Sequence, residues 1–120
     1  MDGNIPKKMM AAVLKGGRKT RNITDLVLDE VEVPKPSDGD VLVQVYACGF
    51  CQTDYKAISG IRELPMIDDH IVGHEPSGVI IEVGRNVKDF EIGDKVAISP
   101  LAYCGECVEC KRGDEFTHYC

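Results

Sequence analysis

The sequence predicts a small, mainly β domain of the irregular barrel or sandwich kind. Three observations carry that expectation. Runs with strand character recur at close spacing between turn signals, few runs have helical periodicity, and 12 of the 120 residues are glycine, the residue that corners and bulges use. Met9–Lys15 is a short apolar run that ends at Gly16–Gly17. Leu26–Val33 alternates, with Leu26, Leu28, Val31 and Val33 as its apolar members. It stops at "PKPSDGD", where prolines and a glycine mark a turn. Val41–Ala47 is a β-rich run with Val41, Val43 and Val45 on one face. "CQTDYKAIS" lacks strand alternation and reads as a short helix with Ala57 and Ile58 inward. Gly60 to His70 reads as a loop. Gly78–Val83 and Lys95–Ser99 are further β runs, joined by the polar, glycine-bounded "GRNVKDFEIGD". From Tyr103 onward no periodicity survives. Cys48, just before Gly49, reads as a buried strand residue.

The totals exclude several function classes. A hydrophobic share of 43% and a charged share of 28% are those of an ordinary soluble domain. The net charge is −6 and there is no tryptophan, so neither the basic face nor the stacking platform of a nucleic-acid binder is present. The basic stretch "KGGRKTR" from Lys15 to Arg21 reads as a solvated turn. The apolar run Met9–Leu14 is too short for a signal h-region or a membrane span. A cytoplasmic, reducing location without a membrane partner is therefore expected. There, clustered cysteines serve as metal ligands more often than as bridges. Neither G-x-G-x-x-G nor a P-loop occurs, so no glycine-rich nucleotide site is encoded.

The tail, "YCGECVECKRGDEFTHYC", concentrates the chemistry. Cys104, Cys107 and Cys110 follow one another at C-x2-C spacing. Two such turns in succession bring three sulfurs around one ion, and Gly105 and Gly113 allow the tight backbone. Three thiolates repel one another unless a cation sits between them, and zinc takes four such ligands in a tetrahedron. Cys120 is the favoured fourth ligand, with His118 as the alternative. A disulfide framework and iron–sulfur ligation are the competing readings. A closed four-ligand site is structural and by itself implies no catalysis. In the middle of the chain, Cys51 in "GFCQTD" and His74 in "VGHEPSG" are both able to bind zinc, with Glu75 adjacent. On spacing alone a buried cysteine and a hydrogen-bonded histidine explain them equally well.

"GFCQTD", "GHEPSG", "VGRNVKDFEIGDKV" and "CGECVEC" occur in this order and at distances that resemble the amino-terminal, GroES-like catalytic domain of the zinc-containing medium-chain alcohol dehydrogenases. The resemblance runs from about Met10 to Cys120. It implies a GroES-like irregular β-barrel over 1–103 and a structural zinc lobe over 104–120. It further implies that Cys51 and His74 bind a catalytic zinc, with Glu75 as an alternative ligand. Thr53 then supplies the hydroxyl that relays the substrate proton, and Asp54 is the carboxylate that orients the ligand histidine. Cys104, Cys107 and Cys110 match three ligands of the structural zinc.

The sequence departs from that pattern in three places. The fourth structural cysteine of the family would fall at His118, with Cys120 two residues on. Lys56 stands where many relatives have a histidine. The nucleotide-binding domain has no counterpart, so NAD(P) is expected only through a missing domain, and the 120 residues alone are expected to be inactive. The implied activity is oxidation of an alcohol or polyol to a carbonyl by a longer enzyme, with a homo-oligomer among the partner readings left open. The competing expectation is a non-catalytic zinc-binding or interaction module on the same barrel.

Overall fold

A computed structural model describes residues 5–16, 25–61, 69–113, 115 and 119–120. The chain runs β1 (Lys8–Leu14), β2 (Leu26–Glu32), β3 (Val41–Gly49), α1 (Gln52–Ile58), β4 (His70–Ile71), β5 (Glu75–Val83), β6 (Lys95–Ala97) and α2 (Val108–Lys111). It is mainly β, as the alternation of the sequence requires. The strands form two three-stranded sheets, ordered β2-β1-β4 and β3-β5-β6. Every pairing is antiparallel.

The core is small. Val13, Leu14, Ala57, Ile58 and Ile80 are buried, Ile80 completely. Leu14 at the end of β1 packs with Ala57 and Ile58 of α1, and Leu26 and Val72 cover that cluster. Helix α1 is thereby docked on the β2-β1-β4 sheet by the two residues expected to face inward. Burying a side chain the size of Ile58 contributes about 1.5–3 kcal/mol, so this contact fixes where the carboxyl end of α1 sits.

A crossed set of polar contacts ties the turn before β3 to the turn after β5. Arg85 donates to both carboxylate oxygens of Asp38 at 2.9 Å, and the Asn86 amide donates to the Asp38 carbonyl at 2.7 Å.

Several expectations need correction. The face expected for Val41, Val43 and Val45 is unevenly covered: Val41 and Val43 are half-buried and Val45 is 51% exposed, while Leu42 between them is buried. The β3–β5 register slips between Leu42 and Val43, where Ile81 of β5 is the extra residue, and again between Val45 and Ala47, where Tyr46 of β3 is the extra residue and shifts the phase of that strand. Leu28 is 77% exposed because β2 is an edge strand whose outer face meets nothing. Cys48 lies in β3 as expected but is exposed. Strand β5 begins at Glu75 rather than Gly78. Pro76 obscures it in the sequence, yet its carbonyl accepts from the Ile98 amide at 2.9 Å and its position pairs with Cys48. His70 belongs to β4, β6 ends at Ala97, and the tail contains the short helix α2. Of the expected loop between Gly60 and His70, and of the basic stretch ending at Arg21, residues 62–68 and 17–21 lie outside the described residues.

Candidate metal centres

The first centre is built at the start of α1. Cys51 is the N-cap of this helix, with extended backbone (φ −109°, ψ 172°). Its Sγ accepts the Thr53 amide at 3.2 Å, and its own amide donates to Asp54 Oδ2 at 2.9 Å. This is a capping box in which a thiol replaces the usual hydroxyl. The cap therefore holds the sulfur and the carboxylate together through local contacts.

His74 arrives from the segment that leads into β5. Its Nδ1–H donates to Asp54 Oδ1 at 3.0 Å, while Nε2 faces Cys51 Sγ at 3.1 Å. The carboxylate oxygens only accept, so this network assigns the ring proton to Nδ1 and leaves the Nε2 lone pair on the sulfur side. Asp54 is 5% exposed, and both of its oxygens are satisfied, which is how a buried carboxylate is tolerated. Cys51, Asp54 and His74 can place their ligand atoms within 4.8 Å of one another. Asp54, however, grips the ring nitrogen opposite the one that meets the sulfur. It acts as the anchor of the imidazole rather than as a third ligand of the same ion. Glu75 approaches from the other side, with Oε1 at 3.9 Å from His74 Nε2.

A zinc ion with sulfur at about 2.3 Å and nitrogen at about 2.0–2.1 Å holds the two atoms about 3.5 Å apart in a tetrahedron. The Cys51–His74 separation needs to open by only a few tenths of an ångström. The donor set thus fits a zinc ion with room for further ligands. The Thr53 hydroxyl has no hydrogen-bond partner among the described residues. Beside it, Phe50, Cys51, Gln52 and Tyr55 line a shallow recess of about 370 Å³. Phe50, Gln52 and Tyr55 were not legible as site residues, because isolated side chains carry no periodic or spacing signal.

The second centre is the tail. Cys107 caps α2, which carries Cys110 within its single turn. Gly105 and Gly113 take positive φ, +73° and +129°, as the tight turns require. The Sγ atoms of Cys107 and Cys110 are 3.5 Å apart, and those of Cys104 and Cys110 are 4.0 Å apart. The Cys104 amide donates to Cys120 Sγ at 3.4 Å, and all four sulfurs lie within 4.8 Å of one another. Four sulfurs around zinc stand about 3.8 Å apart, so the cluster matches such an ion with small adjustments. All six cysteines are free. His118 lies outside the described residues; Cys120 is the residue seen to complete the group.

The electrostatics explain why such a cluster wants a cation. Amide donors from Glu106 and Cys107 point at Cys104 Sγ and pull its pKa down to about 6. Loss of solvent, and then the neighbouring Cys107 thiol, push Cys110 up to about 12. One sulfur, that of Cys104, ionises easily, while Cys110 and Cys120 resist. A divalent ion at the centre removes that conflict.

Residues 37–120 match the alcohol dehydrogenase GroES-like domain. The chain is 41% identical over 109 residues to an alcohol dehydrogenase of Geobacillus stearothermophilus, covering 89% of this chain and 30% of that protein. It is 38% identical over 105 residues to a sorbitol dehydrogenase of Bombyx mori, covering 86% of this chain and 28% of that protein. Among solved structures, the cobalt- and zinc-bound thermostable alcohol dehydrogenase from Pyrobaculum aerophilum superposes with a TM-score of 0.78 at 33% identity. That match covers 94% of this chain and 32% of the other. The chain therefore spans about 30% of the length of the relatives it matches. With a match of this domain model over most of its residues and these similarities on both sides, the chain belongs to the GroES-like domain family of the medium-chain alcohol dehydrogenases.

Proposed function

We propose that this chain is the catalytic-domain portion of a zinc-dependent dehydrogenase that oxidises an alcohol or polyol to a carbonyl, with hydride passing to NAD(P) held by the rest of the protein. In this reading residues 1–103 form the catalytic barrel and 104–120 the structural lobe. Cys51 and His74, with Glu75 in reach, hold the catalytic ion. Cys104, Cys107, Cys110 and Cys120 hold the structural one. The observation that carries the reading is the locked imidazole: Nδ1 on Asp54 and Nε2 on the Cys51 sulfur. A folding module has no use for a buried carboxylate spent on aiming one histidine at one thiol.

Zinc bound at Cys51 and His74 would supply a Lewis acid that makes a substrate hydroxyl easier to deprotonate. The chain's own residues do the rest. Asp54 keeps the proton on Nδ1, so the nitrogen facing the sulfur remains a lone-pair donor. Thr53, whose hydroxyl has no hydrogen-bond partner among the described residues, accepts the proton that leaves the substrate oxygen and passes its own proton to solvent. Phe50 and Tyr55 line the recess. Lys56 stands on the same helix one turn after Thr53, so the outward path ends near a cation rather than a neutral base.

Among the described residues, no helix is long and apolar enough to cross a membrane. Six free thiols suit a reducing, cytoplasmic compartment. The test is oxidation of primary alcohols and of sorbitol-type polyols with NAD+ or NADP+ by the intact protein, set against Cys51→Ser. Substrate-dependent reduction of the cofactor that the variant loses is the expected result. Turnover unaffected by the variant would remove the reading.

A further inference from the structure

Strand β3 ends at Gly49, which is paired across the ladder with Glu75, the first residue of β5. Facing residues of an antiparallel pair bring their side chains together at about 4.5–5.5 Å. Here one partner has no side chain, and the other occupies its place. A Cβ on Gly49 would overlap Glu75 Oε2 and stand 3.2 Å from Glu75 Cβ. The second oxygen of the same carboxylate, Oε1, is the one 3.9 Å from His74 Nε2. The Glu75 side chain is therefore folded over β3 toward the Cys51–His74 pair. The backbone does not explain the glycine, since Gly49 is absent from the residues with positive φ. Space explains it.

We propose that Gly49 is a positioning residue for Glu75. The missing Cβ is a slot in which the carboxylate lies across β3 and adds its negative charge to the Cys51–His74 centre. A methyl group at position 49 fills the slot and turns the carboxylate away. This rests on the reading of Cys51 and His74 as a metal site, and it adds a residue that holds no metal and touches no substrate.

The experiment is a cobalt(II) titration of the purified protein with zinc already filling the four-cysteine lobe. The thiolate-to-cobalt absorption from Cys51 is followed. The proteins are wild type, Gly49→Ala, Glu75→Ala, the double variant, and Cys51→Ser as the control for the band. Either single substitution is expected to weaken cobalt binding about tenfold or more, the size seen when a residue supporting a metal ligand is lost. The double variant is expected to match Glu75→Ala, because the carboxylate that the methyl displaces is gone and the remaining 3.2 Å approach to the Cβ of residue 75 eases with a small shift of the strand ends. Losses that add, or a Gly49→Ala protein that binds like wild type while Glu75→Ala is weakened, overturn the inference and leave the metal site standing. A band that survives Cys51→Ser, or no band in wild type, brings down the metal reading itself and the inference with it. If Gly49→Ala does not fold, the double variant decides: it folds on this account, since the carboxylate has gone, and its failure to fold refutes the slot.

Discussion

Replacing Asp54 by asparagine separates the aiming role of this carboxylate from its capping role. The two side chains have the same shape. Asp54 accepts from the Cys51 amide at 2.9 Å through one oxygen and from His74 Nδ1–H at 3.0 Å through the other. Asparagine has one oxygen and one NH2. If the oxygen keeps the cap, the NH2 points at His74 Nδ1 and selects the opposite tautomer, with the proton on Nε2 facing Cys51. Binding a metal through Nε2 then forces two N–H donors against each other beside residue 54, which is 5% exposed. A buried group left without its partner costs about 1–3 kcal/mol. At about 1.4 kcal/mol per factor of ten, metal affinity at this centre should fall roughly 5- to 150-fold. Stability should change little, because the cap survives. Asp54→Ala should in addition lose about 1 kcal/mol of helix capping. The assay is a chelator competition on the second centre with the four-cysteine lobe filled, together with ring-nitrogen NMR shifts for the tautomer. An Asp54→Asn protein that binds zinc as tightly as wild type and keeps its proton on Nδ1 would refute the reasoning.

Other expectations follow from the same geometry. Ile58→Ala should destabilise the chain by about 2–5 kcal/mol, measured by urea unfolding, since Ile58 is 3% exposed and docks α1. Arg85→Ala should cost less than about 1 kcal/mol despite its two short hydrogen bonds, because its side chain is 84% exposed. Zinc should leave the tail as the pH falls, since protons compete for thiolates; dye-detected release is expected first from Cys120→Ser, which removes one of the four sulfurs. The ammonium of Lys15, followed by the Glu30 amide, holds the Asp29 carboxyl below its ordinary range. That contribution is complete above the unfolded-state pKa of Asp29 and is lost as the pH falls through the lower folded value. Lys15→Met should therefore lower the melting temperature near neutral pH and leave it unchanged in strong acid.

Most of the fold was legible because the strands keep turn signals at their ends and α1 lacks alternation. What escaped has local causes. Leu42 is buried in alternation with Val41, Val43 and Val45, and a strand apolar on both faces does not say which face the core covers; nor does the extra residue at Tyr46 leave a mark in the strand's composition. Pro76 hid the first residues of β5 because a proline argues against a ladder it can join only as an acceptor. The tail cysteines were legible from spacing alone, since C-x2-C is itself the geometry. Cys51, Thr53, Asp54, His74 and Glu75 were legible only as a family pattern. Spacing could not show that Asp54 grips one side of the ring while Cys51 meets the other, because that juxtaposition is made by β3, α1 and β5 together. Gly49 gave no signal at all: its meaning is an absent atom opposite a residue 26 positions away in the chain.

Zinc content and sulfur coordination of the purified chain after exhaustive desalting test the two-centre account most directly. The account expects one retained zinc per chain, with an X-ray absorption shell of four sulfurs at about 2.3 Å, and a second, weaker zinc that returns on titration and brings nitrogen into the shell. No retained zinc with the tail thiols oxidised to disulfides, or a retained ion in a shell of nitrogen and oxygen, would contradict it.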